Sequence, residues 1–152
     1  MIQFQFCQFT DLNSEQLYAV LALRSAVFVV EQTCHYLDPD GRDSEAIHLL
    51  GMESNKIVAY LRLFPPLGSQ DYIEFGRVLT ASHVRSKGYG KKLMQAFLNY
   101  CEKNHPKLNL KCSAQVYLQK FYESFGFKAY GDAYDDVGVL HIDMEKTIPR
   151  TL

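Results

Sequence analysis

Strand-like and helix-like segments alternate through the second half of this chain, and that alternation is what most limits its fold. Apolar side chains recur at helical spacing from Gly88 to Lys103, and residues 108–113 follow as a short strand pattern. A second helical segment, Val116–Phe125, ends at Gly126, and two further strand patterns come after it. Helices interleaved with strands predict a mixed β-sheet that is covered by helices on both faces.

The first half of the chain adds four strands and one helix to this pattern. Residues 2–6 alternate as a strand does, and a helix, broken at one point, is expected from about Ser14 to Glu31. Three apolar segments then follow, at Ile47–Met52, Lys56–Phe64 and Tyr72–Thr80. The predicted order is therefore βαβββαβαββ, an α/β (α+β) fold, and the length of 152 residues predicts one domain spanning residues 1–152.

Composition is that of a globular protein, with 47% apolar and 22% charged residues. No apolar run is long enough for a membrane helix, and the N-terminus lacks the features of a secretory signal. Four widely spaced cysteines show neither disulfide nor zinc-binding patterns. We therefore expect a cytoplasmic protein with reduced thiols and no metal cofactor.

Charge is distributed unevenly although the net charge is only −1. The near-neutral total disfavours nucleic acid or an anionic membrane as the main partner. Between Arg77 and Cys101 there are nevertheless five cations and no anion. A local cationic patch in a neutral protein indicates a small anionic ligand.

A strand, a glycine-containing loop and a helix occur together within this cationic stretch. The strand ends at Thr80, the loop reads RSKGYG over residues 85–90, and a helix begins there. Glycines allow a ligand to approach the backbone closely, and the N–H groups at a helix N-terminus attract anions. The nucleotide-binding patterns GxxxxGK[ST] and GxGxxG are both absent, since Leu93 stands at the third glycine position of the latter. The loop thus predicts a pyrophosphate-sized site of another kind.

The loop resembles the R/Q-x-x-G-x-G/A motif of the GNAT N-acetyltransferase superfamily. A second segment, from Gln115 to Phe127, is similar to that superfamily's helix ending in Tyr-x-x-x-Gly-Phe. The two motifs occur in the family's order and separation, and the element order agrees over nearly the whole chain. The segment LRSAVFVVEQ, residues 23–32, with Asp38, Asp40 and His48, resembles the ElaA-like branch.

This resemblance implies an acetyl-CoA-dependent N-acetyltransferase, an acyltransferase that acts in a ternary complex on a primary amine of a small molecule or peptide. Its motifs place the acetyl-CoA contacts on the strand, on the loop and at one position where many members have Asn instead of Gln. These positions are Val78, Leu79, Thr80, Arg85, Ser86, Lys87, Gly88, Tyr89, Gly90, Lys91 and Gln115.

Tyr122 stands where the family often has a tyrosine that protonates the departing thiolate. A base must take the proton of the amine, directly or through water, and Glu31, His48, Glu74 and His141 are candidates. We place Glu74 and His141 on the catalytic side, and the residues alone do not decide among the candidates. Glu31, His48 and Arg77 are expected on the substrate side. The acidic stretch from Glu31 to Glu45 further suggests a cationic acceptor.

Two other functions remain open from the sequence. The protein could sense acyl-CoA without turnover, or resemble the acyl-homoserine-lactone synthases, to which the segment Leu23–Glu31 is also similar. A homodimer is a possible assembly, since dimers are the commonest soluble oligomers.

Overall fold

The computed structural model describes residues 1–149, which form one seven-stranded sheet with the order β1-β2-β3-β4-β5-β7-β6. The β4–β5 pair is parallel and all other neighbours are antiparallel. The strands are β1 Gln3–Gln8, β2 Ile47–Glu53, β3 Lys56–Phe64, β4 Tyr72–Thr80, β5 Asn109–Gln115, β6 Lys128–Asp136 and β7 Val139–Lys146. The predicted mixed sheet and the predicted element order are confirmed.

Within residues 1–149, three α-helices connect the strands: α1 Ser14–Arg24, α2 Tyr89–Asn104 and α3 Gln119–Glu123. The Asn13 side chain caps α1 by accepting from the Gln16 backbone N–H at 2.8 Å. The predicted break in the first helix is a change of pitch, because Ser25–Glu31 continues as a π-helix. The predicted helix Val116–Phe125 was wrong in its extent: it is a 3₁₀ turn at Val116–Leu118 followed by the short α3.

Helices cover both faces of the sheet, as expected. On one face Phe97 of α2 lies in a buried cluster with Leu49 and Leu61 of the central strands. On the other face Val20 of α1 lies in a second cluster with Leu50 and Tyr60. Neighbouring residues of a strand point to opposite faces, so β2 and β3 supply apolar side chains to both layers.

The β4–β5 pair is where the sheet opens. Pairing covers only Tyr72–Glu74 against Asn109–Lys111, although both strands continue beyond it. On the other side of β4, Tyr60 lies opposite Leu79 and Arg62 opposite Gly76, so β4 carries a bulge. The bulge includes Arg77, whose φ of +52° lies in the left-handed region. Bulges bend and twist a strand, and here the bulge begins where β4 leaves β5.

Candidate active site

An open cleft of about 570 Å³ lies between the separated ends of β4 and β5. Val78, Leu79 and Thr80 line it from β4, and Ser113 and Gln115 line it from β5. The π-helical segment and the β6–β7 hairpin supply further walls. These additional wall residues include Val27, Phe28, Glu31, Gln32, Asp136, Val137, Val139 and His141.

The cleft exposes the backbone edges of two strands. From Phe75 onward β4 has no strand partner on its β5 side, and from Cys112 onward β5 has none on its β4 side, within residues 1–149. Free N–H and C=O groups along such an edge accept an extended, amide-containing ligand as an added strand. The predicted cofactor positions Val78–Thr80 lie on this edge.

The predicted anion loop forms the end of the cleft next to β4. A 3₁₀ turn over Ser82–Lys87 leads to Gly88, whose φ of +73° requires a left-handed conformation, and α2 begins at Tyr89. No side chain among the described residues accepts a hydrogen bond from the first N–H groups of α2. Uncapped N–H groups at a helix N-terminus favour an anion. Arg85 and Gly90 of this region line the cleft directly.

Three of the five cationic side chains in the basic stretch form ion pairs with carboxylates of the protein itself. Arg85 forms a bidentate pair with Glu31, and Lys87 binds Glu53 at 3.1 Å. Arg77 binds Asp38 at 2.8 Å. The Arg85 hydrogen bond lowers the pKa of Glu31, so this carboxylate stays charged beside the loop. Elsewhere in the stretch, no salt bridge to Lys91 or Lys92 is present within residues 1–149.

Tyr122 lies on α3 and lines the cleft with only 5% of its surface exposed. Its ring packs against Phe75 and Phe127 at centroid distances of 6.3 and 6.0 Å. Within residues 1–149 no hydrogen bond to its hydroxyl is present. Burial raises the pKa of Tyr122 well above the ordinary value of 10, so the group stays protonated and able to donate.

The structure separates the two base candidates. His141 lines the cleft, stacks on Tyr134, and has its Nδ1 2.8 Å from the Val139 carbonyl oxygen. Glu74 is absent from the cleft lining and forms a bidentate pair with Arg42 at 3.0 Å. Because a carbonyl only accepts, Nδ1 of His141 donates and Nε2 of the neutral ring is an acceptor.

Four of the five carboxylates in the acidic stretch Glu31–Glu45 form ion pairs within the protein, and the cationic acceptor stays a prediction. Arg24 is fully buried and binds Asp38 at 2.7 Å and Asp43 at 2.6 Å. Arg62 binds Asp40 and also Asp43, the latter at 2.9 Å. The hydrogen bonds from Arg62 hold the pKa of Asp40 well below its usual value. These ion pairs fix the loop beside the cleft.

Of the three predicted substrate-side residues, Glu31 and Arg77 line the cleft and His48 does not. His48 is buried, with Nδ1 2.6 Å from the Tyr60 hydroxyl and Nε2 2.8 Å from the Asp43 carbonyl oxygen. Burial lowers the pKa of His48, which favours the neutral ring. His48 therefore ties the acidic loop to the sheet.

Sequence reasoning missed Gln32, which lies at the end of the π-helical segment. Gln32 and Gln115 exchange amide hydrogen bonds of 2.9 and 3.3 Å, although 83 positions separate them. It also did not predict the contacts of Asp38, which binds both Arg24 and Arg77. Nothing in the local sequence marks either contact, because both partners meet only through the fold.

The open sheet edge, the glycine-containing helix N-terminus and the buried tyrosine lie together in one cleft, as the two sequence motifs predict. The chain matches the acetyltransferase (GNAT) domain family over residues 13–148 and belongs to that family. This confirms the family predicted from the two sequence motifs.

Individual relatives point to the ElaA-like branch. The chain is 42% identical to UPF0039 protein sll0451 of Synechocystis sp. over 149 residues, with 97% of each chain covered. It is 37% identical to the protein ElaA of Escherichia coli over 150 residues, which cover 97% of this chain and 98% of ElaA. The crystal structure of E. coli ElaA matches with a TM-score of 0.89 over 96% of this chain and 99% of that one.

An acyl-CoA N-acyltransferase from Pseudomonas aeruginosa is similar as well. Its crystal structure matches with a TM-score of 0.90 at 34% identity, covering 97% of this chain and 100% of that chain.

Within residues 1–149, no helix is long and apolar enough to cross a membrane. In the same range, no group of three His, Cys, Asp or Glu side chains is placed to hold a metal ion.

The Arg24→Met variant tests the buried ion-pair network. Removing the guanidinium takes one arginine partner from each of Asp38 and Asp43, which keep only Arg77 and Arg62. We expect a loss of at most about 3–5 kcal/mol in unfolding free energy, the range for a broken buried ion pair. Arg42→Met is the matched control, because the half-exposed Arg42–Glu74 pair contributes about 0–1 kcal/mol. Urea unfolding of both variants measures the difference, and equal losses would show that burial of Arg24 contributes nothing.

Proposed function

We propose that this protein transfers an acetyl group from acetyl-CoA to a primary amine of a small molecule or peptide. The observation that carries the proposal is the open sheet edge of Val78–Thr80, which ends at an uncapped, glycine-containing helix N-terminus. An extended arm with amides fits the edge, and a pyrophosphate fits the helix N-terminus. Coenzyme A carries both groups in that order.

The donor-binding residues follow from this fit. The backbone of Val78, Leu79 and Thr80 would pair with the arm of the donor. The loop would hold the phosphates through Ser86, Lys87, Gly88, Tyr89, Gly90 and Lys91, with Arg85 at its entrance. Free N–H groups near Leu79 would also stabilise negative charge on the thioester oxygen during attack.

Tyr122 is proposed as the general acid. In a direct transfer the amine nitrogen bonds to the thioester carbon, the C–S bond breaks, and sulfur takes up a proton. Tyr122 lines the cleft, its hydroxyl is protonated, and no hydrogen bond to that hydroxyl is present within residues 1–149. It is therefore available to give its proton to the departing sulfur and to recover one from water.

Direct transfer also agrees with the state of the nearby cysteine. Cys112 lines the same cleft, and burial raises the pKa of its thiol to about 12. A thiol that stays protonated is a poor nucleophile. We therefore propose attack by the amine itself, without an acyl-cysteine.

His141 is proposed as the base that accepts the amine proton. Its Nδ1–H donates to Val139, which leaves Nε2 of the neutral ring as the proton acceptor. Glu74 is held by Arg42 and is absent from the cleft lining, which removes the support for it as the base.

We place the reaction in the cytoplasm, in keeping with the four free cysteines.

Ligand-dependent unfolding followed by turnover tests the proposal. A hundredfold excess of acetyl-CoA or CoA over Kd should add about 2.7 kcal/mol of stability, a rise in Tm of roughly 5–11 °C for this chain length. ATP and NAD serve as controls and should add far less. Release of CoA in the presence of a panel of primary amines then demonstrates transfer. Binding without turnover of any amine would identify a sensor instead.

Replacing Tyr122 with Phe tests the general acid. We expect kcat to fall about 10²-fold or more, because the sulfur loses its proton donor. The Kd for CoA should stay unchanged, because the ring and its packing are kept. The pH profile should keep its shape, since Tyr122 does not ionise in the working range. An unchanged kcat would remove Tyr122 from this role.

The variants His141→Ala and Glu74→Gln distinguish the two base candidates. Removal of His141 should lower kcat/KM about 10²-fold, and added imidazole should restore part of the activity of His141→Ala. Glu74→Gln should retain wild-type kcat/KM. The opposite result, a loss in Glu74→Gln alone, would assign the base to Glu74.

A further inference from the structure

The two residues proposed for proton transfer lie on opposite faces of the sheet. Tyr122 belongs to the buried cluster that contains Phe97 of α2, and Ala114 of β5 belongs to the same cluster. Neighbouring strand residues point to opposite faces, so Gln115 points to the face that carries α1. Gln115 lies opposite His141 in the β5–β7 pairing, and paired residues share a face. His141 therefore lies on the α1 face.

This arrangement separates the paths of the two substrates. The anion loop leads into α2, so the donor phosphates and Tyr122 are on the α2 face. A base must lie within reach of the amine from which it takes the proton. With His141 as the base, the amine approaches the thioester from the α1 face. The side chains that line the cleft on that face then decide which amine fits.

The wall of the cleft on the α1 face is largely apolar. It is formed by the π-helical segment, by the loop that contains Asp38, and by the β6–β7 hairpin. Asp38 binds Arg24 at 2.7 Å, which places its loop against α1. We call the apolar and aromatic residues of these three segments the acceptor wall. They are Val27, Phe28, Tyr36, Leu37, Val137 and Val139.

Two side chains of the acceptor wall are exposed although they are apolar. Leu37 is 80% exposed and Val137 is 47% exposed. Val139 lies directly beside the proposed base, because its carbonyl oxygen is 2.8 Å from Nδ1 of His141. An apolar chain that extends from the reacting amine along this wall would remove the exposed side chains from water, which is favourable.

The charged side chains of the cleft are mostly paired within the protein. Those that line the cleft form the pairs Glu31–Arg85, Asp40–Arg62 and Arg77–Asp38. Asp136 also lines the cleft, and no salt bridge to it is present within residues 1–149. An acceptor with several ammonium groups would lose hydration in the cleft and find few carboxylates in exchange. The charge pattern therefore favours an acceptor with one amine and an uncharged body.

We propose that the acceptor is a primary amine carried by an apolar chain, in which the carbon chain contacts Leu37 and Val137. The inference rests on the proposed function for the position of the reacting amine. It narrows the acceptor to hydrophobic amines, such as alkylamines and arylalkylamines. Leu37 and Val137 become specificity-determining residues.

Binding of a series of n-alkylamines to the CoA-bound protein tests the inference without turnover. The probes are ethylamine, butylamine and hexylamine, with calorimetry as the measurement. We expect the Kd to fall by up to about 4-fold for each added methylene. The probe 1,6-diaminohexane has the same carbon chain as hexylamine and a second charge, and it should bind about 10-fold more weakly or worse. With acetyl-CoA, kcat/KM should follow the same order.

The variant Leu37→Ser tests the contact with the chain. We expect its Kd for hexylamine to rise about 3- to 10-fold, as for partial burial of a leucine, and its Kd for ethylamine to change much less. Leu67→Ser is the matched control, because Leu67 is 77% exposed and lies outside the cleft lining. It should leave both Kd values unchanged.

Three results would overturn the inference. They are a Kd that does not depend on chain length, tighter binding of 1,6-diaminohexane than of hexylamine, and equal weakening of ethylamine and hexylamine by Leu37→Ser. The last result would indicate a merely structural effect on the loop.

The inference and the proposed function fail differently in these experiments. If the protein acetylates amines without preference for apolar chains, only the inferred substrate class is lost. If alkylamines bind with the expected dependence on chain length but no amine is acetylated, the acceptor wall stands and catalysis falls. If the CoA-bound protein neither binds nor acetylates any amine, both are overturned.

Discussion

The separation of β4 from β5 after Glu74 is the constraint on which the site depends. Sheet pairing between the two strands stops there, so their backbone donors and acceptors are left for a ligand. The bulge in β4 bends the strand at this point, and it requires a left-handed conformation at Arg77, a residue with a full side chain. The hydrogen bonds from Arg77 to Asp38 hold this conformation in place.

The buried ion pairs around Arg24 serve the same geometry. Arg24 and Arg77 bind the two carboxylate oxygens of Asp38, so one loop residue connects the first helix to the bulge. Such pairs cost desolvation energy and are therefore weak evidence for extra stability. Their directional hydrogen bonds instead place the acidic loop, which contains Asp38 and Asp43, and the π-helical segment against the cleft. A network of this kind positions the walls of a site and leaves the cleft itself open for a ligand.

Much of the fold could be predicted because local patterns and tertiary packing agree. The predicted bounds of β3 and β4 are those of the structure, since each is rich in apolar and aromatic residues and is bounded by turn or loop residues. The predicted helix at Val116–Phe125 fails because a 3₁₀ turn and an α-helix share the same apolar spacing over one turn. The π pitch of Ser25–Glu31 has no sequence signal for the same reason.

The electrostatics of the site could not be predicted from local charge. Arg85 and Lys87 lie in a stretch without acids, yet Glu31 and Glu53 reach them from distant positions. The acidic loop likewise meets arginines that are remote in sequence. The sequence gives the net charge of a segment. The electrostatic field at a site depends instead on which charged side chains the fold brings together there.

By itself, the sequence determined the order of the elements, the glycine-containing loop before α2 and the position of Tyr122 within its motif, because periodicity, turn residues and motif spacing are local properties. Only the tertiary structure decided that His141 enters the cleft and Glu74 does not. It also decided that Gln32 meets Gln115. These facts depend on strand order and on the opening of the sheet, which result from packing over the whole chain.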